Sequence, residues 1–354
     1  MYHTKYMERC LELAARGKGH VAPNPMVGAV VVCHDRIIGE GYHQQYGGLH
    51  AEPNAIASVK DQRLLAESTL YVNLEPCSHY GKTPPCAQLI IDKKIPRVVV
   101  GGLDPFPEVS GRGISMLQAA GVEVVAGVLE EQCEALNKRF LTFHRNHRPY
   151  IVLKWAQSAD GFMDVVRKPN DGQQAIVFSS ETTQALCHKL RSEEAAILVG
   201  TRTAILDNPS LTVRKWGGQS PLRIFIDRRG TVPSTHHLYS GTESTWALTE
   251  SRAAIDHPAV TSIELDFNQD ILPQIMQVLV REKIQSLIVE GGACLLNSFI
   301  VAGLWDEAFI ETSEIGLGQG VKSPHIGGVP SSVSCFGKSV VRQHKNSPCK
   351  LSTE

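Results

Sequence analysis

The chain has 354 residues, and its 35 Lys and Arg against 36 Asp and Glu leave a formal net charge of -1. With 42% hydrophobic and 20% charged residues it has globular composition, which excludes extensive disorder. The balanced charge gives no basic footprint for a nucleic-acid backbone, and no apolar run approaches the ~20 residues of a membrane span.

Met7, Leu11, Ala14 and Ala15 share one face at helical spacing and predict a helix over 7–16. This opening stretch is charged and lacks the apolar stretch of a secretory signal, so a cytoplasmic protein is expected. Pro23 and Pro25 break the pattern, and 27–33 and 36–42 read as strands around the turn His34-Asp35. Helix 50–59, strand 69–74, helix 87–94, strand 97–101, helix 114–120 and strand 122–126 follow, and 130–140 reads as one more helix. The polar, basic, proline-ended stretch 144–149 marks a domain boundary near residue 147.

The second half restarts with strand 150–156 and a polar segment, 166–174, before helix 181–190. Strands 196–200, 222–227 and 245–249, helix 271–282, strand 286–289, helix 293–301 and strand 305–311 complete it. The alternation is that of an α/β fold, in two domains, 1–146 and 147–354. The polar tail from Gln343 is expected to be disordered. The nine cysteines are scattered and odd in number, which argues against a disulfide framework. In a reducing compartment such thiols are core filler or metal ligands.

The strongest chemical signal is His50-Ala51-Glu52 with Pro76-Cys77 and Cys86 downstream. One imidazole and two thiolates make the three-ligand set of a catalytic zinc, which leaves a position open for water. Glu52, two residues after His50 at a helix start, is placed to shuttle the proton. The pattern follows the H-x-E…P-C-x-x-C arrangement of zinc deaminases, except that eight residues, 78–85, separate the cysteines. The competing reading is a closed structural site with His43 or His79 as fourth ligand, which would leave Glu52 without a use. In the second half, Glu290-Gly291-Gly292 joins a strand to a helix, where a phosphate can approach backbone N–H groups. A tight turn needing positive φ explains those glycines equally well. Lys154, Ser158-Ala159-Asp160-Gly161, and Thr203 with Asp207-Asn208-Pro209 lie near strand ends, where ligands usually bind.

Pro23-Asn24-Pro25-Met26-Val27-Gly28-Ala29-Val30, His50-Ala51-Glu52 and Leu74-Glu75-Pro76-Cys77-Ser78-His79-Tyr80-Gly81-Lys82-Thr83-Pro84-Pro85-Cys86 resemble the deaminase half of the bifunctional riboflavin-biosynthesis deaminase–reductase family. In that family the long cysteine spacing is the ordinary one. Lys154-Trp155-Ala156-Gln157-Ser158-Ala159-Asp160-Gly161, Leu190-Arg191-Ser192, Asp207-Asn208-Pro209-Ser210-Leu211-Thr212-Val213-Arg214 and Glu290-Gly291-Gly292 look like its reductase half, in the family's order. The resemblance extends to about residue 330.

The resemblance implies a cytidine-deaminase-like three-layer domain followed by a dihydrofolate-reductase-like domain. It implies one zinc on His50, Cys77 and Cys86, with Glu52 as proton donor. The substrate would be a phosphorylated pyrimidine, a diaminopyrimidinone with a phosphoribosylamino group. Asn24 would contact the ring, and His43, His79 and Lys82 its polar groups or phosphate. NADPH would then reduce the ribosyl group to ribityl. Ala156, Thr203, Asp207, Gly292, Ala293, Cys294, Leu295, Leu296, Asn297 and Ser298 would line the cofactor. Arg191, Leu211, Arg214 and Glu290 would line the substrate, the two arginines suiting a phosphate. Lys154 and Asp207 are the groups expected to polarise the opened ribose and relay a proton, and Arg228 the one to meet the cofactor 2′-phosphate. A homo-oligomer is expected.

Two departures stand out. Pro53 replaces a usual β-branched residue but removes only an N–H without an intrahelical acceptor. Ala175 and Val177 stand where the family has a substrate-contacting Ser and a cofactor-packing Trp, with Ser179 and Ser180 as candidates to take over. Two other readings follow: a deaminase of another base or of RNA with a ligand-binding but non-reducing second domain, or a structural zinc module with a nucleotide-sensing domain.

Overall fold

The computed structural model describes residues 2–80, 84–105, 110–169 and 171–346. The chain divides into two compact units between His147 and Arg148.

The first unit runs α1 (Tyr2–Ala15), β1 (Gly28–Cys33), β2 (Arg36–Tyr42), α2 (Ala51–Ser58), β3 (Thr69–Leu74), α3 (Cys86–Asp92), β4 (Arg97–Gly102), α4 (Arg112–Ala119), β5 (Glu123–Ala126), α5 (Glu130–Leu136) and α6 (Lys138–Asn146). Its strands form one sheet in the order β2-β1-β3-β4-β5. β1 is antiparallel to β2 and β3, and β3, β4 and β5 are parallel. Strand side chains alternate between faces. Val31, Leu70, Val72, Val98 and Val100 pack on one side with residues of α2, α3 and α4, including Ala55, Ile90 and Leu117. Val30, Tyr71 and Val99 pack on the other with Met7, Cys10 and Leu13 of α1. Both faces are therefore covered, which gives three layers and explains the continuous apolar runs. Gly41 lets α2 lie close on β2, since a Cβ there would sit 2.3 Å from the Ala55 nitrogen.

The second unit runs β6 (Tyr150–Gln157), β7 (Phe162–Asp164), α7 (Glu181–Glu193), β8 (Ala196–Val199), α8 (Thr201–Asp207), β9 (Leu222–Ile226), β10 (Thr245–Thr249), β11 (Thr261–Glu264), α9 (Ile271–Arg281), β12 (Ser286–Gly291), α10 (Ala293–Val301), β13 (Glu307–Thr312), β14 (Val321–Lys322), β15 (Ser332–Phe336) and β16 (Ser339–Lys345). Nine strands make one sheet, β11-β10-β9-β8-β12-β6-β13-β16-β15, while β7 and β14 pair separately. The strands from β11 to β13 are parallel, and β16 and β15 close the edge antiparallel. Ile151, Leu153, Leu198 and Leu287 face α9 and α10 residues such as Ile275, Leu279 and Phe299. Val152, Ile197, Phe225 and Ile288 build the opposite core.

Three expectations are corrected here. The helix expected over 130–140 is two helices, broken at Asn137 with φ -100° and ψ 18°. The side chain of Asn137 is drawn away to Met26, accepting from its N–H at 2.8 Å and donating to its carbonyl at 2.9 Å. The polar stretch 144–149 stays helical to Asn146 and turns only at His147, with φ 50°. The tail from Gln343 is ordered through Lys345, because β16 satisfies the exposed edge of β13, pairing Lys345 with Glu307. Among the described residues no helix is long and apolar enough to cross a membrane.

Candidate functional site

In the first unit three donors converge. His50 caps α2, Cys77 follows β3, and Cys86 opens α3. The Nδ1 of His50 is 3.4 Å from the Cys86 sulfur and 3.7 Å from that of Cys77. All three donor atoms lie within 4.8 Å of one another. A tetrahedral zinc with bonds of ~2.3 Å to sulfur and ~2.0 Å to nitrogen sets its donors about 3.5–3.8 Å apart, so the three fit the ion. The Cys86 N–H donates to the Cys77 sulfur at 3.2 Å. Hydrogen bonds from the Cys86 thiol and from His50 hold the Cys77 thiol well below the usual thiol range, against the burial that would raise it. Neither His43 nor His79 belongs to the cluster. A closed four-ligand site built on either is therefore set aside.

Glu52 lies in the first turn of α2 and is 3% exposed. Burial, reinforced by the Cys77 sulfur, pushes its carboxyl up to about 7. A carboxyl poised near neutrality beside a water-activating centre can take and return a proton.

His43 is buried, and both ring nitrogens are engaged. Nδ1 donates to the Leu49 carbonyl at 2.9 Å, and Nε2 accepts from the Asn24 amide at 3.1 Å. His43, expected at the substrate, is thus engaged on both sides by the protein and holds the Asn24 amide. His79 is exposed, and Lys82 lies outside the described residues. Glu75, Asn73 and Asn137 support the site and escaped sequence reading. Glu75, buried just before Pro76-Cys77, accepts N–H groups of Gly111, Gly113, Ile114 and Asp104 at 2.9 to 3.3 Å. Asn73 accepts the Gly28 N–H at 2.7 Å and donates to the Met26 carbonyl at 3.1 Å. A lone Asn inside the apolar run of β3 was the available signal.

In the second unit a cavity of about 550 Å³ opens at the ends of β8, β9 and β12. Thr203, Asp207, Glu290, Gly292, Ala293, Cys294, Leu295 and Ser298 line it. Ala156 does not; Leu296 turns into the core and Asn297 to the exposed side. Gly292 has φ -71°, so positive φ does not explain it. A Cβ there would instead stand 3.2 Å from the Thr203 hydroxyl, inside the space between the turn and α8. Close-approach glycines at the start of α10 suit a phosphate-bearing cofactor.

Asp207 is bound by Arg167, which also donates to Asp164 at 2.6 Å and to the Leu206 carbonyl at 2.9 Å. Burial raises the Asp207 carboxyl and Arg167 opposes it. Arg167 is 5% exposed and came from a segment whose sequence reads only as polar loop. Lys154 is not beside Asp207. It lines a second cavity, of about 270 Å³, with Cys187 and Glu311. The Arg191 fork is occupied by Glu290, at 2.7 Å through Nε and 2.6 Å through Nη2, and Nη1 donates to the Thr212 carbonyl at 3.2 Å. Burial works to raise the Glu290 carboxyl, but Arg191 wins and holds it down at about 2. Arg191 is thus a partner for Glu290, not a free phosphate clamp. Leu211 is buried, while Arg214 is exposed and donates to the Thr212 hydroxyl at 2.6 Å. Arg228 lies at a third, polar cavity, paired with Glu250 at 2.6 Å. Ala175 lines the large cavity, and Val177 is 68% exposed. Neither serine fills in there: Ser179 donates to Glu311 at 2.6 Å and Ser180 caps α7.

Comparison with known proteins covers both units. Residues 1–102 match the cytidine and deoxycytidylate deaminase zinc-binding region, and residues 149–343 match the RibD C-terminal domain. The riboflavin biosynthesis protein RibD of Bacillus amyloliquefaciens is 41% identical over 321 residues, covering 88% of this chain and 85% of that protein. That of Aquifex aeolicus is 39% identical, covering 91% and 90%. A Thermotoga maritima diaminohydroxyphosphoribosylaminopyrimidine deaminase/5-amino-6-(5-phosphoribosylamino)uracil reductase superposes with a TM-score of 0.87 at 34% identity, over 98% of this chain and 99% of that one.

Proposed function

The chain belongs to the RibD family of riboflavin biosynthesis proteins, bifunctional deaminases and reductases that use zinc and NADPH, and on that premise we propose how its residues divide the work. Residues 1–146 remove an amine from a diaminopyrimidinone bearing a phosphoribosylamino group. Residues 147–354 reduce the ribosyl group of the product to ribityl. The observation that carries the first assignment is the convergence of His50, Cys77 and Cys86 beside buried Glu52.

His50, Cys77 and Cys86 would hold the zinc, which when bound would bring the ionisation of water to about pH 7. Glu52 takes a proton from the water whose oxygen adds to the ring carbon and returns it to the amine nitrogen, so that the C–N bond breaks and ammonia leaves. Asn24, fixed by His43, orients the pyrimidine. In the second unit NADPH supplies the hydride. Thr203, Gly292, Ala293 and Ser298 receive the cofactor, and Asp207 borders it. Lys154 and Glu290 serve the sugar end of the substrate, Arg191 holding Glu290 ionised. On the family alone, the same reading includes a homo-oligomer in the cytoplasm.

Glu52→Gln tests the assignment. The variant should keep its zinc, lose ammonia release by about a hundred-fold or more, and still oxidise NADPH when given the deaminated intermediate. Normal ammonia release by zinc-loaded Glu52→Gln protein overturns the role given to Glu52.

A further inference from the structure

Lys154 on β6 stands opposite Phe309 on β13, and Ala156 stands opposite Glu311. Paired residues share a face, so Lys154, Phe309 and Glu311 project from the same side of the sheet, Glu311 diagonal to Lys154. That side opens into the cavity of about 270 Å³, roofed by Thr183, Leu186 and Cys187 of α7 and walled by residues of β15 and β16.

Glu311 is 3% exposed and was not foreseen from the sequence. Its Oε2 accepts from the Ser179 hydroxyl at 2.6 Å. Its Oε1 is buried and has no hydrogen-bond partner among the described residues, so Lys154 does not reach it. An unpaired buried carboxylate oxygen is costly, and such groups persist where a ligand completes them. Lys154 feels Glu311 and also Glu290, which lines the cofactor-side cavity.

The missing partner must suit both ends of the cluster. A cation is disfavoured by Lys154 and a phosphate by Glu311. An ammonium donates only and an ionised carboxylate accepts only. A hydroxyl can do both at once.

We propose that Glu311, with Lys154 and Ser179, forms a hydroxyl-binding subsite for the sugar chain of the reductase substrate. One ligand hydroxyl donates to Oε1 of Glu311 and accepts from Nζ of Lys154. Phe309 and Leu186 line the same space for the carbon chain. Ser179 holds the carboxylate in place through Oε2, which makes it a positioning residue. This rests on the reading of the second unit as the reductase.

The test is steady-state reduction of the deaminated phosphoribosylamino intermediate by Glu311→Gln and Glu311→Leu protein, with NADPH affinity and ammonia release measured in parallel. The expected result is a KM for the intermediate raised roughly ten- to a hundred-fold, with NADPH affinity and ammonia release unchanged. Ser179→Ala should raise KM less than either. An unchanged KM in both Glu311 variants overturns the subsite. Should the wild-type protein not consume NADPH at all, the reductase reading fails separately. Calorimetric binding of the same intermediate to wild-type and Glu311→Gln protein then decides: weaker binding by the variant supports the subsite, and equal binding overturns it. If Glu311→Leu loses NADPH affinity its second unit is misfolded, and Glu311→Gln and Ser179→Ala carry the comparison.

Discussion

The Oε1 of Glu75 accepts the backbone N–H of Gly113 at 2.9 Å, and this bond ties the zinc-ligand loop to the start of α4. Gly113 must be glycine for the loop to fit, because a Cβ there would stand 2.0 Å from the Pro76 carbonyl oxygen. Cys77 is the next residue. Glu75→Ala leaves the buried Gly113 N–H unpaired, at about 1–3 kcal/mol, along with three part-buried N–H groups. It should lower the urea stability of the first unit by about 3 kcal/mol or more and reduce zinc content. Gly113→Ala should do the same by displacing Pro76. Zinc stoichiometry after gel filtration reads both, and full zinc occupancy in either variant would show that the brace does not hold Cys77.

His43 and Asn24 make a second prediction. Because His43 holds the Asn24 amide and lies outside the donor cluster, His43→Phe should keep zinc and raise the deaminase KM by about ten-fold. Loss of zinc instead would return His43 to the metal's ligands.

The Arg191–Glu290 pair predicts an acid sensitivity with a definite sign. The Glu290 carboxyl is held at about 2 against an ordinary 4.5. A depressed carboxylate contributes stability that is present above pH 4.5 and lost as pH falls toward 2. In Arg191→Met that contribution disappears and Glu290 is left buried without its partner, at a cost of about 3–5 kcal/mol. Thermal melts should show a large loss at pH 7 and a smaller difference from wild type as pH approaches 3. A difference that grows toward acid contradicts the pairing.

The converging donor cluster, the buried Glu52 carboxyl and the α/β alternation were all legible in the sequence because each is local. His50, Glu52, Cys77 and Cys86 sit in short runs whose spacing carries the chemistry. What the sequence hides is which polar groups consume one another after folding. Arg191 reads as a phosphate clamp until Glu290 is seen to occupy its fork. Lys154 and Asp207 read as partners but line different cavities. Glu75 and Asn137 hold backbone far away in the chain, and no spacing rule reports that. The end of β16 looked like a polar tail because that strand is held by backbone pairing to β13 on one side and β15 on the other, while most of its side chains are only half-buried.

The two chemistries predict separable losses. Chelation should abolish ammonia release while leaving NADPH oxidation of the supplied intermediate unaffected, since no donor of the zinc cluster lies in the second unit. A parallel fall in both rates contradicts that separation.

The most direct measurement is mass spectrometry of the products formed by zinc-loaded protein from the diaminopyrimidinone phosphoribosylamino substrate, with and without NADPH. The account predicts the deaminated compound alone without NADPH, and the deaminated, reduced ribityl compound with it. Deamination without any NADPH-dependent product contradicts the assignment of the second unit, and unchanged substrate in both samples contradicts the assignment of the whole chain.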